Sequence, residues 1–227
     1  MNKLDLDILG LRAVNQALQD NGKTALESKW RIDNPKGAHA IAVGLDAPID
    51  VNINGSTGYY CGGMNKQATI QVSGSVGPGV GENMMSGCIT IEGDASQYAG
   101  ATGNGGLLVI KGNAAARCGI SMKGIDIVVY GNIGHMSAFM AQAGNLVVLG
   151  DAGEALGDSL YEARLFIRGS VKSLGADCIE KEMRPQHIEI LRNLLKKANA
   201  DADPVEFRRY GSARQLYHFK VDNVSAY

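Results

Sequence analysis

The chain has 227 residues and a formal net charge of −1, with 22 Lys and Arg residues against 23 Asp and Glu residues. This length fits one domain with short appendages. The balanced charge excludes the strongly basic surface that non-specific binding to nucleic acid or anionic membranes requires. The sequence contains no apolar run of the roughly 18–20 residues that a membrane-spanning helix needs. Gly occurs 30 times and aromatic residues make up 6% of the chain, which favours narrow, repeated turns over a bulky core.

Residues 1–40 precede the regular part of the sequence, and we predict that they form an N-terminal cap. Apolar residues recur there at helical spacing: Ile8, Leu11, Val14 and Leu18. With Gly22 as the expected stop, this spacing predicts a short amphipathic helix. The helix and the segment 39–44 would cover the open strand edge of the following domain, and docking to a partner is the alternative role. Acidic residues stand near the N-terminus where a signal peptide would be apolar, which indicates a cytoplasmic protein.

A glycine returns every nineteen residues in the next part of the chain. The series is Gly55, Gly74, Gly93, Gly112, Gly131, Gly150 and Gly169. Seven residues further on, a second series of small residues keeps the same period: Gly62, Gly81, Gly100, Gly119, Ala138, Gly157 and Ala176. A fixed internal period near twenty is typical of repeat architectures. The residue after each glycine of the first series is small and polar, and such a side chain suits a bend because it hydrogen-bonds nearby backbone.

The residues before each glycine alternate between apolar and outward positions. The position two residues before is occupied by Ile53, Val72, Ile91, Ile110, Val129, Val148 and Ile167. Alternation at period two with β-branched residues on one face predicts a half-buried strand. One short strand per nineteen residues leaves no room for a crossover helix. We therefore predict an all-β domain over residues 41–180, a single parallel β-helix of about seven rungs. The competing left-handed hexapeptide helix has a six-residue subperiod, of which nineteen is not a multiple.

One outward column changes character along these rungs. Three residues before each glycine, the chain carries Asn52, Gln71, Thr90, Val109, Val128, Val147 and Phe166. An apolar stripe on an outer face needs cover, and the C-terminal region, 181–227, offers a helix that begins near Pro185 and ends at 201–204. Its apolar positions are Ile188, Leu191, Leu194, Leu195 and Ala198. We predict that this helix lies on the apolar stripe.

The last stretch, 205–227, is basic and aromatic. It is too short to bury its aromatic side chains by itself. Two interpretations stay open: the tail folds back on the rod, or it reaches a partner as an arm.

The residues that usually carry chemistry are scattered. Cys61, Cys88, Cys118 and Cys178 lack metal-ligand spacing, and we expect them to be buried small hydrophobes. His39, His135, His187 and His218 stand singly, so the sequence shows neither a zinc cluster nor a Cys–His pair. The methionines Met84, Met85, Met136 and Met140 are expected in the rod interior or on a docking surface. The sequence thus predicts no catalytic, cofactor-binding or metal-binding residue in this chain.

A resemblance adds to this interpretation. The run 74–81, Gly-Ser-Val-Gly-Pro-Gly-Val-Gly, followed by Asn83-Met84 and Gly87, resembles the GXGXG pattern of the glutamate synthase C-terminal domain. Further matches are Gly100-Ala101-Thr102-Gly103, Arg117 with Met122, and Gly150-Asp151-Ala152-Gly153. The resemblance spans residues 40–180 and implies a right-handed parallel β-helix with a structural role. Similar domains occur in formylmethanofuran dehydrogenase.

Residues 131–144 and 210–219 make the chain most similar to the glutamate-synthase-like subunit of N-methylglutamate synthase. This resemblance implies a non-catalytic scaffold subunit in a hetero-oligomer that makes N-methylglutamate from glutamate and methylamine. The implied partners are an amidotransferase-like subunit and a subunit that binds FMN and iron–sulfur clusters, with no cofactor in this chain. The equivalent subunit of glutamate synthase or of formylmethanofuran dehydrogenase is one alternative. A stand-alone carbohydrate-active β-helix enzyme is an alternative of another class.

Overall fold

The computed structural model describes residues 1–24 and 29–214. Within them, the chain forms two α-helices, one 3-10 helix and eleven strands that belong to a single sheet. In chain order the elements are β1 (Asn2–Asp5), α1 (Leu6–Thr24), β2 (Lys29–Asp33), β3 (Asp50–Asn54), β4 (Thr69–Val72), β5 (Cys88–Ile91), β6 (Leu107–Ile110), β7 (Lys123–Val129), β8 (Ala143–Val148), β9 (Arg164–Ile167), β10 (Cys178–Lys181), α2 (Pro185–Ala198), the 3-10 helix (Pro204–Glu206) and β11 (Arg208–Ser212).

The strands β3 to β9 stack in parallel with the nineteen-residue offset of the sequence. Ile53 pairs with Val72, and the same column continues strand by strand to Ile167. A second column of parallel bridges runs past the corner: Thr57, Val76, Ala95, Ala114, Ile133, Ala152 and Val171. Two hydrogen-bonded columns in each repeat confirm the predicted parallel β-solenoid of about seven turns.

The inward columns form the core of the rod. Ile70, Ile89, Leu108 and Ile127 are all 0% exposed, each stacked on its counterpart in the neighbouring turn. Burial of an aliphatic side chain of this size contributes about 1.5–3 kcal/mol. Strands of four residues are too short to be stable alone, so this stacking holds the strands in place.

The first glycine series is required by space. A methyl group built on Gly131 would lie 2.4 Å from Oδ1 of Asn113 and 2.8 Å from the carbonyl oxygen of Gly112. Comparable crowding recurs at Gly74, Gly93, Gly112, Gly150 and Gly169. Of the seven glycines in the series, Gly55 alone has a positive φ. The repeat therefore selects glycine because no Cβ fits against the previous turn.

The polar residue after each glycine explains that crowding. Oδ1 of Asn113 accepts a hydrogen bond of 2.9 Å from the backbone N–H of Asn132, one turn further along the rod. The bonds form an unbroken series through Ser56, Ser75, Asp94, Asn113, Asn132, Asp151 and Ser170. The side chains were predicted to bond nearby backbone, and the structure shows that the backbone concerned belongs to the next turn.

The N-terminal helix is present, but it differs in detail from the prediction. Val14 and Leu18 are fully buried, whereas Ile8 is 80% exposed. The helical path breaks at Gly10 (φ 73°, ψ 160°), although Leu6 before the break and Leu11 after it both pack against the core. The predicted stop was also wrong, since α1 includes Gly22 and reaches Thr24.

Helix α1 covers the first corner of the rod through its amide side chains. Asn15 donates from Nδ2 to the carbonyl of Ala40 and accepts at Oδ1 from the N–H of Ala42, each at 2.8 Å. Gln19 donates to the carbonyl of Val43 at 3.0 Å. These bonds satisfy backbone groups that have no preceding turn to pair with. Strands β2 and β1, which the sequence did not predict, continue the parallel sheet beyond β3.

Candidate partner interface

The outer face of the sheet divides into two halves. We call the outer face of β6–β9 the covered half and that of β2–β5 the bare half. In the covered half, Val109, Val128, Val147 and Phe166 are at most 2% exposed although they point away from the rod interior. They form a second hydrophobic cluster together with Leu149, Leu191, Leu194, Leu195, Ala198 and Phe207. The predicted packing of the C-terminal helix on the apolar stripe is confirmed.

The helix itself matches its predicted apolar face with two exceptions. Ile188 is half-buried, while the neighbouring His187, which was not assigned to that face, is 9% exposed. The helix ends at Ala198 and not at 201–204, because Asn199 takes the left-handed conformation (φ 56°). Left-handed residues commonly end helices in this way.

The C-terminal end of α2 is fixed by a hydrogen-bonded pair from the sheet. The hydroxyl of Tyr130 donates to the carbonyl oxygen of Ala198 at 2.8 Å. Nζ of Lys111 lies 2.6 Å from the Tyr130 hydroxyl, 3.4 Å from the same carbonyl and 4.0 Å from the centre of the Tyr130 ring. A cation beside a helix C-terminus interacts favourably with the helix dipole. The sheet therefore binds α2 by charge as well as by apolar contact.

A second row of polar side chains runs along the other edge of the covered half. Nε of Arg164 donates to Oδ1 of Asn145 at 2.9 Å, and Nδ2 of Asn145 donates to Oδ1 of Asp126 at 2.6 Å. Burial raises the pKa of the Asp126 carboxyl, against the opposing effects of the Asn145 hydrogen bond, Lys197 and Arg164. The row satisfies its polar groups within the sheet.

The described part of the C-terminal tail folds back on the rod. Strand β11 lies between β9 and β10 and is antiparallel to both. Phe207 joins the cluster under α2, and Tyr210 points into the main core; they are 4% and 3% exposed. Of the two interpretations of the tail, folding back holds up to residue 214, and residues 215–227 lie outside the described part.

The outer face of the bare half is polar. Asn52, Asn54, Gln71 and Ser73 are exposed, and together with Met1 and Arg31 they line a shallow depression of about 350 Å³. Its hydrogen bonds run mostly between neighbouring strands: Gln71 donates to Glu92 at 3.2 Å and Asn54 donates to Asp33 at 3.1 Å. A regular array of polar side chains can bind another polar surface, and it is also stable when exposed to water.

The methionines divide between the interior and the surface. Met84 is fully buried, whereas Met85 and Met140 are 47% and 41% exposed. Met64 and Tyr161 are each 46% exposed. Exposed Met and Tyr side chains are adaptable contact residues, so these four residues are further candidate contact positions.

Cations gather where β9, β10, β11 and α2 meet. The cationic cluster consists of Arg164, Lys181, Arg184 and Arg209. Lys181 and Arg209 occupy directly opposite positions of the antiparallel pair β10–β11. Nε of Arg184 lies 3.1 Å from Oε2 of Glu182, and Nε of Arg209 donates to the Glu182 carbonyl oxygen at 3.0 Å. Burial, followed by Arg184 and Arg164, lowers the pKa of Arg209.

His187 lies buried beside this cluster. Its Nδ1 accepts a hydrogen bond of 3.1 Å from the backbone N–H of Arg184, at the first turn of α2. Burial lowers the pKa of the imidazole, and Arg209, Arg164 and Arg184 lower it further against Glu182. The ring is therefore neutral near pH 7, with the proton on Nε2.

The other chemical groups stay apart. Burial raises the pKa of Cys61 to about 11 and that of Cys118 to about 12. Cys61, Cys118 and Cys178 are buried as predicted, while Cys88 is half-buried. Within residues 1–24 and 29–214, His, Cys, Asp and Glu form no group of three that could hold a metal ion. His39 and His135 are exposed, and His218 lies outside the described residues.

No described helix combines the length and the hydropathy that a bilayer span requires.

The fold and its surfaces define the class of the protein: a parallel β-solenoid with nineteen-residue turns, glycine corners and one sheet face half covered by its own C-terminal helix. The chain matches no protein-family model. Protein GlxC of Rhizobium meliloti (strain 1021) is 66% identical over 228 residues, with 100% of both chains covered. The chain therefore belongs to the GlxC family.

Proposed function

We propose that the chain is the scaffold subunit of a cytoplasmic, glutamate-synthase-like complex that makes N-methylglutamate from methylamine and glutamate. In this proposal the chain positions an amidotransferase-like subunit beside a subunit that carries FMN and iron–sulfur clusters. The chain binds neither cofactor itself. The observation that carries the proposal is the uncovered state of the bare half, next to a covered half that the chain has closed with its own helix.

The geometry of a stiff rod supports this role. Seven turns at the usual strand spacing of about 4.8 Å span on the order of 30–35 Å. In this proposal the two partners bind at different places along the rod. A rod of this kind would fix the distance between their active sites, and an intermediate would pass between them with less loss.

The distribution of chemical groups is consistent with a scaffold. Among the described residues, the cysteines are buried or half-buried and the exposed histidines stand apart. The resemblance of the glycine-rich run 74–81 to the GXGXG pattern points to the same class of complex.

The test is to isolate the complex from its native source and to assay it. We expect two larger subunits to co-purify with the chain, flavin absorbance in the complex, and formation of N-methylglutamate from methylamine and glutamate. The chain purified alone should show neither flavin absorbance nor turnover. Turnover or bound flavin in the isolated chain would overturn the scaffold role, and a complex that contains other enzymes would overturn the assigned reaction.

A matched pair of variants tests the bare half. Gln71→Arg places a long cation in the middle of the bare half, whereas Gln97→Arg makes the same change at an exposed position on another corner. We expect Gln71→Arg to weaken assembly and Gln97→Arg to leave it unchanged, measured by co-elution with the partner subunits. Equal assembly of both variants would exclude the bare half as the contact surface.

A further inference from the structure

The cationic cluster is unusual because its positive charges face one another. Lys181 and Arg209 stand opposite each other on β10 and β11, and like charges at such positions repel. A methyl group built on Gly211 would lie 3.4 Å from Cδ of Lys181 and 3.6 Å from Nη1 of Arg209. The two side chains therefore lie along the same face of β11.

The described acidic residues do not balance this charge. Glu182 is the one carboxylate that acts on both Arg209 and His187. It already pairs with Arg184, and its own side chain is 74% exposed. Asp126 also interacts with Arg164, so four cations face two carboxylates. Burial, followed by the charges of Arg184 and Arg164, lowers the pKa of Arg209.

The neighbouring groups are hydrogen-bond donors as well. The neutral imidazole of His187 uses Nδ1 as an acceptor from the N–H of Arg184, so Nε2 carries a proton to donate. The ring is 9% exposed and is fixed at the first turn of α2, where the helix dipole also favours negative charge. Guanidinium groups bind carboxylate and phosphate oxygens through paired N–H donors.

We propose that the cationic cluster and His187 form a binding site for a small oxyanion, a phosphate or a carboxylate, at the junction of β9, β10, β11 and α2. The anion neutralises the repulsion between Lys181 and Arg209 and ties the first turn of α2 to the end of the rod. The site does not depend on the proposed complex, since all of its groups belong to this chain.

The test is an anion titration of the purified full chain. Inorganic phosphate and glutarate are added separately, with sodium chloride at matched ionic strength as the reference. We expect one of the two oxyanions to raise Tm with saturation and to shift the imidazole NMR signals of His187, while those of exposed His135 stay in place. The oxyanion that saturates at the lower concentration identifies the ligand as phosphate or as carboxylate.

Two variants on the same helix complete the test. Arg184→Gln removes a cluster cation whose side chain is 59% exposed, and Arg192→Gln removes an arginine that is 58% exposed and pairs with Glu189 elsewhere on α2. We expect Arg184→Gln to weaken anion binding by at least about tenfold and Arg192→Gln to leave it unchanged. The proposal is overturned if both oxyanions act as chloride does, or if the two variants lose binding equally.

Discussion

The covered half and the bare half share one backbone register but treat their outward side chains differently. Phe166 on β9 and Gln71 on β4 occupy the same column of the sheet, yet Phe166 is fully buried and Gln71 is exposed. The same turn geometry therefore supports either surface. The side chains of the outward column that contains Gln71 and Phe166 determine whether a further segment of the chain must pack on the sheet.

The two halves also differ in the forces that hold them. The covered half gains a second hydrophobic cluster and a fixed helix end at Ala198. The bare half has hydrogen bonds between exposed side chains, which contribute little because water competes for the same groups. A surface that is stable without cover remains available to a partner, whereas the covered half is already occupied.

Truncation of matched residues should give the largest contrast. We expect Phe166→Ala to reduce the free energy of unfolding by about 3–5 kcal/mol, because it leaves a cavity under α2. Gln71→Ala removes an exposed side chain from the same column and should change it by less than about 0.5 kcal/mol. Urea unfolding of both variants measures the difference. Similar losses would show that the two halves are not distinct in energy.

Substitution of the first-series glycines should destabilise the protein by a similar amount in both halves. A methyl group at Gly93, in the bare half, would lie 2.5 Å from Oγ of Ser75, and one at Gly150, in the covered half, 2.4 Å from Oδ1 of Asn132. We expect Gly93→Ala and Gly150→Ala each to cost about 1–3 kcal/mol, the usual range for overpacking. Thermal unfolding measures both. A large cost in one half alone would mean that α2, and not the series of hydrogen bonds from Ser56 to Ser170, sets the requirement for glycine.

The anchor of α2 should give a smaller effect. Tyr130→Phe removes the hydroxyl that donates to Ala198 and should cost about 1 kcal/mol. Amide exchange in the last turn of α2 should become faster, while exchange in β3 and β4 stays unchanged. Tyr59→Phe, at a tyrosine that is 52% exposed, is the control. Unchanged exchange in α2 would show that apolar contact alone holds the helix.

The pH dependence of stability should be the smallest effect, and it should arise in the covered half. The pKa of His187 lies below the usual 6.5 in the folded protein, so the unfolded chain binds the proton more readily. The contribution of His187 to stability should be constant above pH 6.5. It should fall as the pH decreases towards the pKa of His187 in the folded protein. Chemical unfolding between pH 7 and pH 5 measures the slope.

His187→Gln should reduce that slope, because the variant has no imidazole to protonate. His135→Gln replaces an exposed histidine away from α2 and should leave the slope as it is. An identical slope in the wild type and in His187→Gln would contradict the assignment.

The sequence alone predicted the periodic features of the fold. Each strand of the rod recurs with the same neighbours, so Ile53 and its counterparts identify the column without knowledge of the fold. The apolar stripe from Val109 to Phe166 predicted that another segment packs on it, because apolar side chains on an outer face must be buried. The amphipathic segment that follows the rungs in the sequence is α2. Non-periodic elements were missed: β2 pairs with β3 at an offset of twenty-one residues, Trp30 opposite Val51, and β11 inserts between two strands that precede it.

The candidate surfaces were predictable in part. The polarity of Asn52, Gln71 and Thr90 marked the bare half in advance. The cationic cluster was not predictable, since Arg164, Lys181, Arg184 and Arg209 come from four separate elements and show no common spacing. His187 was likewise assigned no role, because its burial depends on how α2 meets β11.

The sequence by itself determined the turn length, the inward columns and the need for a covering helix, because these depend on local spacing and on burial of apolar side chains. Tertiary structure decided the rest. Contacts between residues far apart in the chain explain why the corners need glycine. They also determine that β11 inserts between β9 and β10 and that four cations meet at the start of α2. Such contacts follow from the packing of the whole rod, which no single window of sequence specifies.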